Sequence, residues 1–235
     1  GVLDRFGQNE PKVFNCVDGY FYNGKELDIT DRVAQIIDGL PTVEQVVVLP
    51  FLNDPPKITQ IAKAGLWDDT LAAYRPGTIN FRRVGFNHPL FIMFSSGTTG
   101  VPKCIVHGHG GTLIQHLKEH QLQSDIRPGD KVFYFTTCGW MMWNWLISAL
   151  ASGACVMTFD GNPFYPKGTV LWDYITDHQA SFFGVSAKYI DSLKQFGLKP
   201  GEKYDLTHLR TLASTGSPLV HEAYDTIYND IKSDL

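Results

Sequence analysis

Strand-length apolar runs alternate with stretches of helical periodicity along most of this 235-residue chain. That alternation restricts the fold to an α/β type with mostly parallel sheets flanked by helices. Residues 12–16 read as a strand. Tyr20-Phe21-Tyr22 and Lys25-Glu26-Leu27 flank Asn23-Gly24, a dipeptide suited to the positive φ angles of a tight hairpin turn. Thr30 can cap a helix reaching residue 37, with Gly39 ending it and Pro41 beyond. Residues 43–49, centred on Val46-Val47-Val48, read as a buried strand. Further on, residues 90–94, 104–107, 131–135, 154–159, 180–183 and 209–213 read as strands. Residues 110–123, 140–151, 170–178 and 187–196 read as helices, and a last helix follows Leu219. Pro76-Gly77 breaks the pattern within residues 75–85, a weak linker. Two α/β blocks are therefore expected, residues 1–84 and 85–235, the first incomplete at its start and the second at its end.

The composition narrows the functional classes. Hydrophobic residues make up 43% of the chain, enough for a buried core. Net charge is 20 − 24 = −4, with Lys and Arg dispersed, so neither nucleic acid nor an anionic membrane is an expected partner. A small molecule is. No apolar run reaches the roughly 18 residues of a membrane span, and none opens the chain in the form of a secretory signal. Cys16, Cys104, Cys138 and Cys155 are far apart and form no Cys-x-x-Cys pair. Neither a zinc site nor a disulfide scaffold is expected, and the thiols read as reduced in a cytoplasmic protein. Gly1-Val2-Leu3-Asp4 reads as mid-domain sequence, and residues 223–235 as a helix that simply stops. The expectation is a piece of a longer protein.

The chemistry is concentrated between two of the strands, in Ser95-Ser96-Gly97-Thr98-Thr99-Gly100-Val101-Pro102-Lys103. Glycines let backbone N–H groups turn toward an anion. Ser95, Ser96, Thr98 and Thr99 add hydroxyl donors, Lys103 adds a positive charge at the exit, and Pro102 stiffens that exit. The set suits a polyphosphate. It differs from the common nucleotide loop, in which Gly-Lys runs directly into Ser or Thr and opens a helix. Here Lys103 leads into Cys104 and a strand. A polar loop without ligand is the plainer alternative on composition alone.

Residues 95–103 resemble the signature loop of the acyl-adenylate-forming enzymes, a superfamily of acyl-CoA synthetases, luciferases and peptide-synthetase adenylation domains. The flanking text is similar to the acetoacetyl-CoA synthetase family within it. The residues that carry this are Pro89-Leu90-Phe91-Ile92-Met93-Phe94, residues 103–111, Phe135-Thr136-Thr137-Cys138-Gly139-Trp140-Met141-Met142-Trp143-Asn144, and the opening from Val2 to Gly24. The resemblance implies part of the large N-terminal domain of such an enzyme, without the smaller C-terminal domain. It implies two half-reactions: a carboxylate attacks the α-phosphorus of Mg-ATP, then the thiol of coenzyme A displaces AMP. The substrates implied are ATP with Mg²⁺, coenzyme A and a small carboxylic acid, acetoacetate first, with acetate, propionate or another short acid as alternatives. A noncatalytic nucleotide-binding module is the alternative of another class.

The resemblance assigns roles to individual positions. Lys103, Thr98 and Thr99 carry catalysis. Ser95, Ser96, Gly97, Gly100 and Lys103 hold ATP with them. Gly216, Ser217 and Pro218 lie along adenosine. Trp140, Met141 and Thr215 line the acid site. The alternatives are plain ones: Ser217 or Thr215 as a helix cap, and Trp140, Met141, Trp143, Trp145 and Leu146 as core packing. A keto oxygen needs a donor, and Thr136, Thr137, Asn144 and Thr215 are candidates. Phe183-Gly184-Val185-Ser186 matches a segment near the acyl and pantetheine passage, or is a strand end. His107 and His109 lack a nearby third ligand, so no metal site is expected. The family pattern continues with an aromatic-Gly-x-Thr-Glu segment, a ribose-gripping Asp and an adenylation lysine in the C-terminal domain. None lies within these residues, and Lys103 belongs to the loop. By this reading the stretch alone does not turn over.

Overall fold

The computed structural model describes residues 1–96 and 100–235. They form two compact units, Gly1–His109 and Gly110–Leu235. The first contains helix α1 (Val2–Phe6), strands β1 (Val13–Val17), β2 (Gly19–Tyr22) and β3 (Lys25–Asp28), and helix α2 (Thr30–Asp38). Strands β4 (Gln45–Leu49) and β5 (Ala64–Leu66), helix α3 (Trp67–Ala72), and strands β6 (Pro89–Phe94) and β7 (Cys104–Gly108) follow. Strands β1, β4 and β5 form a parallel sheet with β4 in the middle. That position explains the unbroken apolar text Val46-Val47-Val48. Val33 and Ile37, one helical turn apart on α2, pack with Phe14, Val46 and Val48 in one core.

Strands β2 and β3 form the expected hairpin, with Asn23 at φ 54° and Gly24 at φ 76°. The cap of α2 differs from expectation. Thr30 lies inside the first turn and Ile29 is the N-cap. The capping oxygen is Asp28 Oδ1, which accepts from the Thr30 N–H at 2.8 Å and its hydroxyl at 2.7 Å. Residues 75–85 carry no regular element and are almost wholly exposed. The short elements α1, β5 and α3 were not expected.

The second unit opens in helix α4 (His109–Lys118), which continues as a π-helical turn, Glu119–Gln123. Then come β8 (Lys131–Tyr134), α5 (Met141–Ile147) with a 3₁₀ turn Ser148–Ser152, β9 (Cys155–Met157) and α6 (Val170–Asp177). Strand β10 (Phe182–Ser186), α7 (Ala187–Gln195), β11 (Thr211–Thr215) and α8 (His221–Thr226) complete it. The four strands form a parallel sheet in the order β11-β10-β8-β9. Alternate residues feed two cores. Phe133, Phe183 and Val185 pack with Trp172, Ile190 and Leu193. Val132, Tyr134 and Phe182 pack with Trp145, Leu146 and Ala149. Each such buried side chain contributes roughly 1.5–3 kcal/mol. An exposed ion pair such as Lys12–Glu44 contributes about 0–1 kcal/mol. Packing, not surface charge, therefore holds this α/β fold.

Strands β10 and β11 start two residues later than the apolar text suggests. Ala180 still donates to Ile175 O of the preceding helix at 2.8 Å. The Ser181 carbonyl is taken by Arg210 N at 2.9 Å and Thr211 N at 3.2 Å. Gly184 in β10 is required by close approach, because a Cβ there would stand 2.0 Å from the Tyr134 ring.

Candidate functional site

In the first unit, β6 and β7 pair antiparallel with Phe94 opposite Cys104. Ser95 and Ser96 thus follow β6, and Gly100 to Lys103 lead into β7, at one end of an antiparallel strand pair. That end is closed by Ser95 N donating to Lys103 O at 3.0 Å and Lys103 N donating to Ser95 Oγ at 2.9 Å. Sequence reading cast the Ser95 hydroxyl only as a donor. Here its oxygen also accepts, from the Lys103 N–H. Pro102 is buried, and its carbonyl accepts from Gln8 Nε2 at 2.9 Å, tying the loop exit to the segment after α1. Gly100 has φ 146°, in the region that favours glycine. The Lys103 side chain is exposed and makes no ion pair with any described residue. Gly97, Thr98 and Thr99 lie outside the described residues. Ser96 sits beside them on the strand side.

The histidines near this strand pair have ordinary roles. The His109 ring lies edge-on to His88 at 5.7 Å, and His88 Nδ1 is 2.9 Å from Pro89 O. Among the described residues no three His, Cys, Asp or Glu groups gather at metal-binding distance. A recess of about 850 Å³ lined by Asp28, Asp31 and Lys57 also lies in this unit, and none of the described loop residues lines it.

In the second unit, a cleft of about 500 Å³ opens where β8 and β11 meet the start of α5 and the end of α4. It brings together Met141 and Thr215, two of the three residues expected to face the acid. Met141 is 39% exposed at the first turn of α5, and Thr215 ends β11. Tyr134, Met142, Trp145, Phe182, Lys118 and Glu119 also line it. The Tyr134 hydroxyl donates to Val185 O at 3.3 Å, and burial pushes its pKa above the usual phenol value. It is an un-ionised wall, not a base. Of Thr136, Thr137, Asn144 and Thr215, the cleft takes Thr215. Thr136 Oγ1 instead donates to Thr137 O at 3.1 Å.

Trp140, the third expected residue, packs against Tyr134 and faces Gly216. A Cβ on Gly216 would stand 3.6 Å from its ring. Gly216 has φ 94°, so β11 turns there by a path that a side chain would strain. Ser217 and Pro218 follow, exposed. Neither Ser217 nor Thr215 caps α8, whose N-cap is Val220 without a side-chain hydrogen bond. Ser186 is the N-cap of α7, accepting from Tyr189 N at 3.2 Å.

Sequence reasoning missed the wall made by α4. Trp145 had been read only as core, and Glu119 carried no signal. The two meet across 26 positions, with Trp145 Nε1 donating to Glu119 Oε2 at 2.9 Å. Glu119 opens the π-helical turn at the end of α4, which periodicity does not predict.

Among known families, the model described as AMP-binding enzyme matches residues 18–233. The chain belongs to the AMP-binding enzyme family. Within that family it is similar to an acetoacetyl-coenzyme A synthetase from Rhizobium meliloti, with 49% identity over all of this chain and 36% of that protein. It is also similar to an acetoacetyl-CoA synthetase from Gallus gallus, with 45% identity over all of this chain and 36% of that protein. The solved acetoacetyl-CoA synthetase from Streptomyces lividans superposes with a TM-score of 0.87 at 40% identity. That superposition covers 97% of this chain and 34% of the solved one, so the α/β fold of this AMP-binding chain matches part of that structure. The chain spans about a third of the length of the relatives it matches (36% for the first). Among the described residues no helix is long and apolar enough to cross a membrane.

Proposed function

We propose that the protein carrying this chain is an AMP-forming acid–CoA ligase that converts acetoacetate, ATP and coenzyme A to acetoacetyl-CoA, AMP and pyrophosphate. The observation that carries the reading is similarity along the whole chain, at 44% to 49% identity, to proteins named acetoacetyl-CoA synthetase from bacteria and vertebrates. The cleft supports it. Met141, Met142, Trp145 and Phe182 give it apolar lining, Thr215 offers a hydroxyl for a keto oxygen, and its volume falls in the range of small-molecule sites.

The first step is attack of an acid oxygen on the α-phosphorus of ATP, forming the acyl–O–P bond as the bond to pyrophosphate breaks. The second is attack of the coenzyme A sulfur on the acyl carbonyl. The thioester forms, AMP leaves with the bonding pair, and the thiol proton goes to solvent. A carboxylate oxygen is a poor leaving group and AMP a better one, so the chain's task is positioning and charge stabilisation. In this reading Ser95, Ser96, Gly97, Thr98, Thr99 and Gly100 hold the phosphates, and Lys103 offsets the charge that grows on them. Gly216, Ser217 and Pro218 lie along the adenosine. Trp140, Met141 and Thr215 border the acid. Mg²⁺ accompanies the ATP phosphates. Among the described residues no three His, Cys, Asp or Glu side chains gather to hold that ion, which would enter with the nucleotide. The α/β break at residues 84 and 85 and a cytoplasmic setting, where the four free thiols stay reduced, belong to the same proposal.

The test is pyrophosphate release by the full-length protein with ATP, coenzyme A and, in parallel, acetoacetate, acetate or propionate. The expected outcome is the highest kcat/KM with acetoacetate. Acetate outperforming acetoacetate would overturn the substrate assignment. Silence with every acid would overturn the ligase assignment.

A further inference from the structure

The cleft that holds Met141 and Thr215 has a back wall whose position is fixed by a second set of residues. Trp145 lines the cleft yet is only 6% exposed, so its indole is mostly sealed behind the surface it presents. The ring has very little freedom. His120 meets it edge-on at 4.2 Å and Tyr134 edge-on at 6.1 Å, and Phe182 lies tilted against it at 5.5 Å. The indole N–H is held by Glu119 Oε2 at 2.9 Å. Glu119 is itself oriented, since its other oxygen accepts from Gln115 Nε2 and stands 3.9 Å from Lys118 Nζ. Glu119 opens the π-helical turn that ends α4, and such turns are frequent where a helix is shaped for a function. The Glu119 side chain is 35% exposed, so its carboxylate holds the indole N–H while keeping part of its hydration. What the arrangement adds is a fixed ring position.

We propose that Trp145 sets the depth of the acid-binding cleft and that Glu119 is its positioning residue, so that together they limit the acid to a short chain. The proposal depends on the reading that this cleft takes the acid. A rigid wall rejects an added methylene by roughly 10- to 200-fold, the range seen where a hydrophobic pocket is sized by one side chain. A wall free to swing would reject it less.

The test compares acetoacetate, butyrate, hexanoate and octanoate as substrates of the full-length protein, measuring kcat and KM for each acid and KM for ATP. Trp145→Leu should raise the hexanoate-to-acetoacetate ratio of kcat/KM by about tenfold or more, with KM for ATP within about twofold of the parent. Trp145→Phe should give a smaller shift in the same direction, and it decides the matter if the leucine variant does not fold. Glu119→Ala should broaden the acid profile through KM for the acid. Glu119→Gln, which keeps an oxygen for the indole N–H, should restore the narrow profile. An unchanged acid ratio in folded Trp145 variants of an active enzyme would overturn this assignment alone. No acid-dependent turnover by the parent protein would overturn the ligase reading and this assignment with it.

Discussion

Two side chains make opposite demands on their surroundings. Lys103 is exposed and makes no ion pair with any described residue, so its charge is available to a phosphate and its removal leaves packing untouched. Lys103→Ala should lower kcat/KM for pyrophosphate release by about 100-fold, the scale of losing one preorganised charge donor. Its melting temperature should match the parent's, and a collapse in that temperature would make the lysine structural. His120 is wholly buried against Trp145, with His116 and Glu119 beside it. Burial, with His116 adding to it, brings its pKa down from 6.5 to about 4. The folded protein then keeps the ring neutral while the unfolded chain takes up a proton below pH 6.5. Stability is therefore complete above pH 6.5, falls as pH drops toward 4, and loses nothing further from this group below that. The loss is at most roughly 3 kcal/mol. Denaturant unfolding between pH 7 and 4.5 should show this slope, and His120→Phe should flatten it. An unaltered slope in that variant would contradict the account.

Among the elements, the clearest dependence of form on one residue is the segment after β4. Asp18 lies between β1 and β2, fully buried. Its carboxylate accepts from Phe51 N at 2.7 Å, Leu52 N at 3.0 Å, Asn53 N at 2.9 Å and Asn53 Nδ2 at 3.1 Å. Burial alone would raise its pKa, but these donors outweigh it and the net shift is downward. Its contribution is present above the ordinary value of 3.8 and disappears as pH falls through the lower folded value. Asp18→Ala should cost about 3–5 kcal/mol in denaturant unfolding, because several amides lose their acceptor together. A loss under about 1 kcal/mol would show that the segment is held otherwise. Element by element, the sequence was most legible where one kind of text served one purpose. Val46-Val47-Val48 is buried on both faces and read as a strand. Asn23-Gly24 fits only a tight turn. Legibility failed where a third residue decided the outcome. Asp28 took the cap expected of Thr30, and the Ile175 and Ser181 carbonyls delayed β10 and β11. Ala64-Gly65-Leu66 is too short to signal a strand before β4 pairs with it.

For the molecule as a whole, the Ser/Gly/Thr stretch from Ser95 to Lys103 stood out in the sequence, and its expected position between two strands is the one observed. That those strands pair antiparallel, with Phe94 opposite Cys104, came only from the structure. Met141 and Thr215 were singled out in sequence and share one cleft, whereas Trp145 and Glu119 acquire meaning only through a contact 26 positions apart. Family membership covers residues 18–233, and the proposed chemistry requires an acyl-adenylate that can form before coenzyme A arrives. The most direct measurement is exchange of labelled pyrophosphate into ATP by the full-length protein, with Mg²⁺ present and coenzyme A omitted. The account predicts exchange that depends on acetoacetate and falls sharply in Lys103→Ala. Acetoacetate-dependent thioester formation without any such exchange would contradict it.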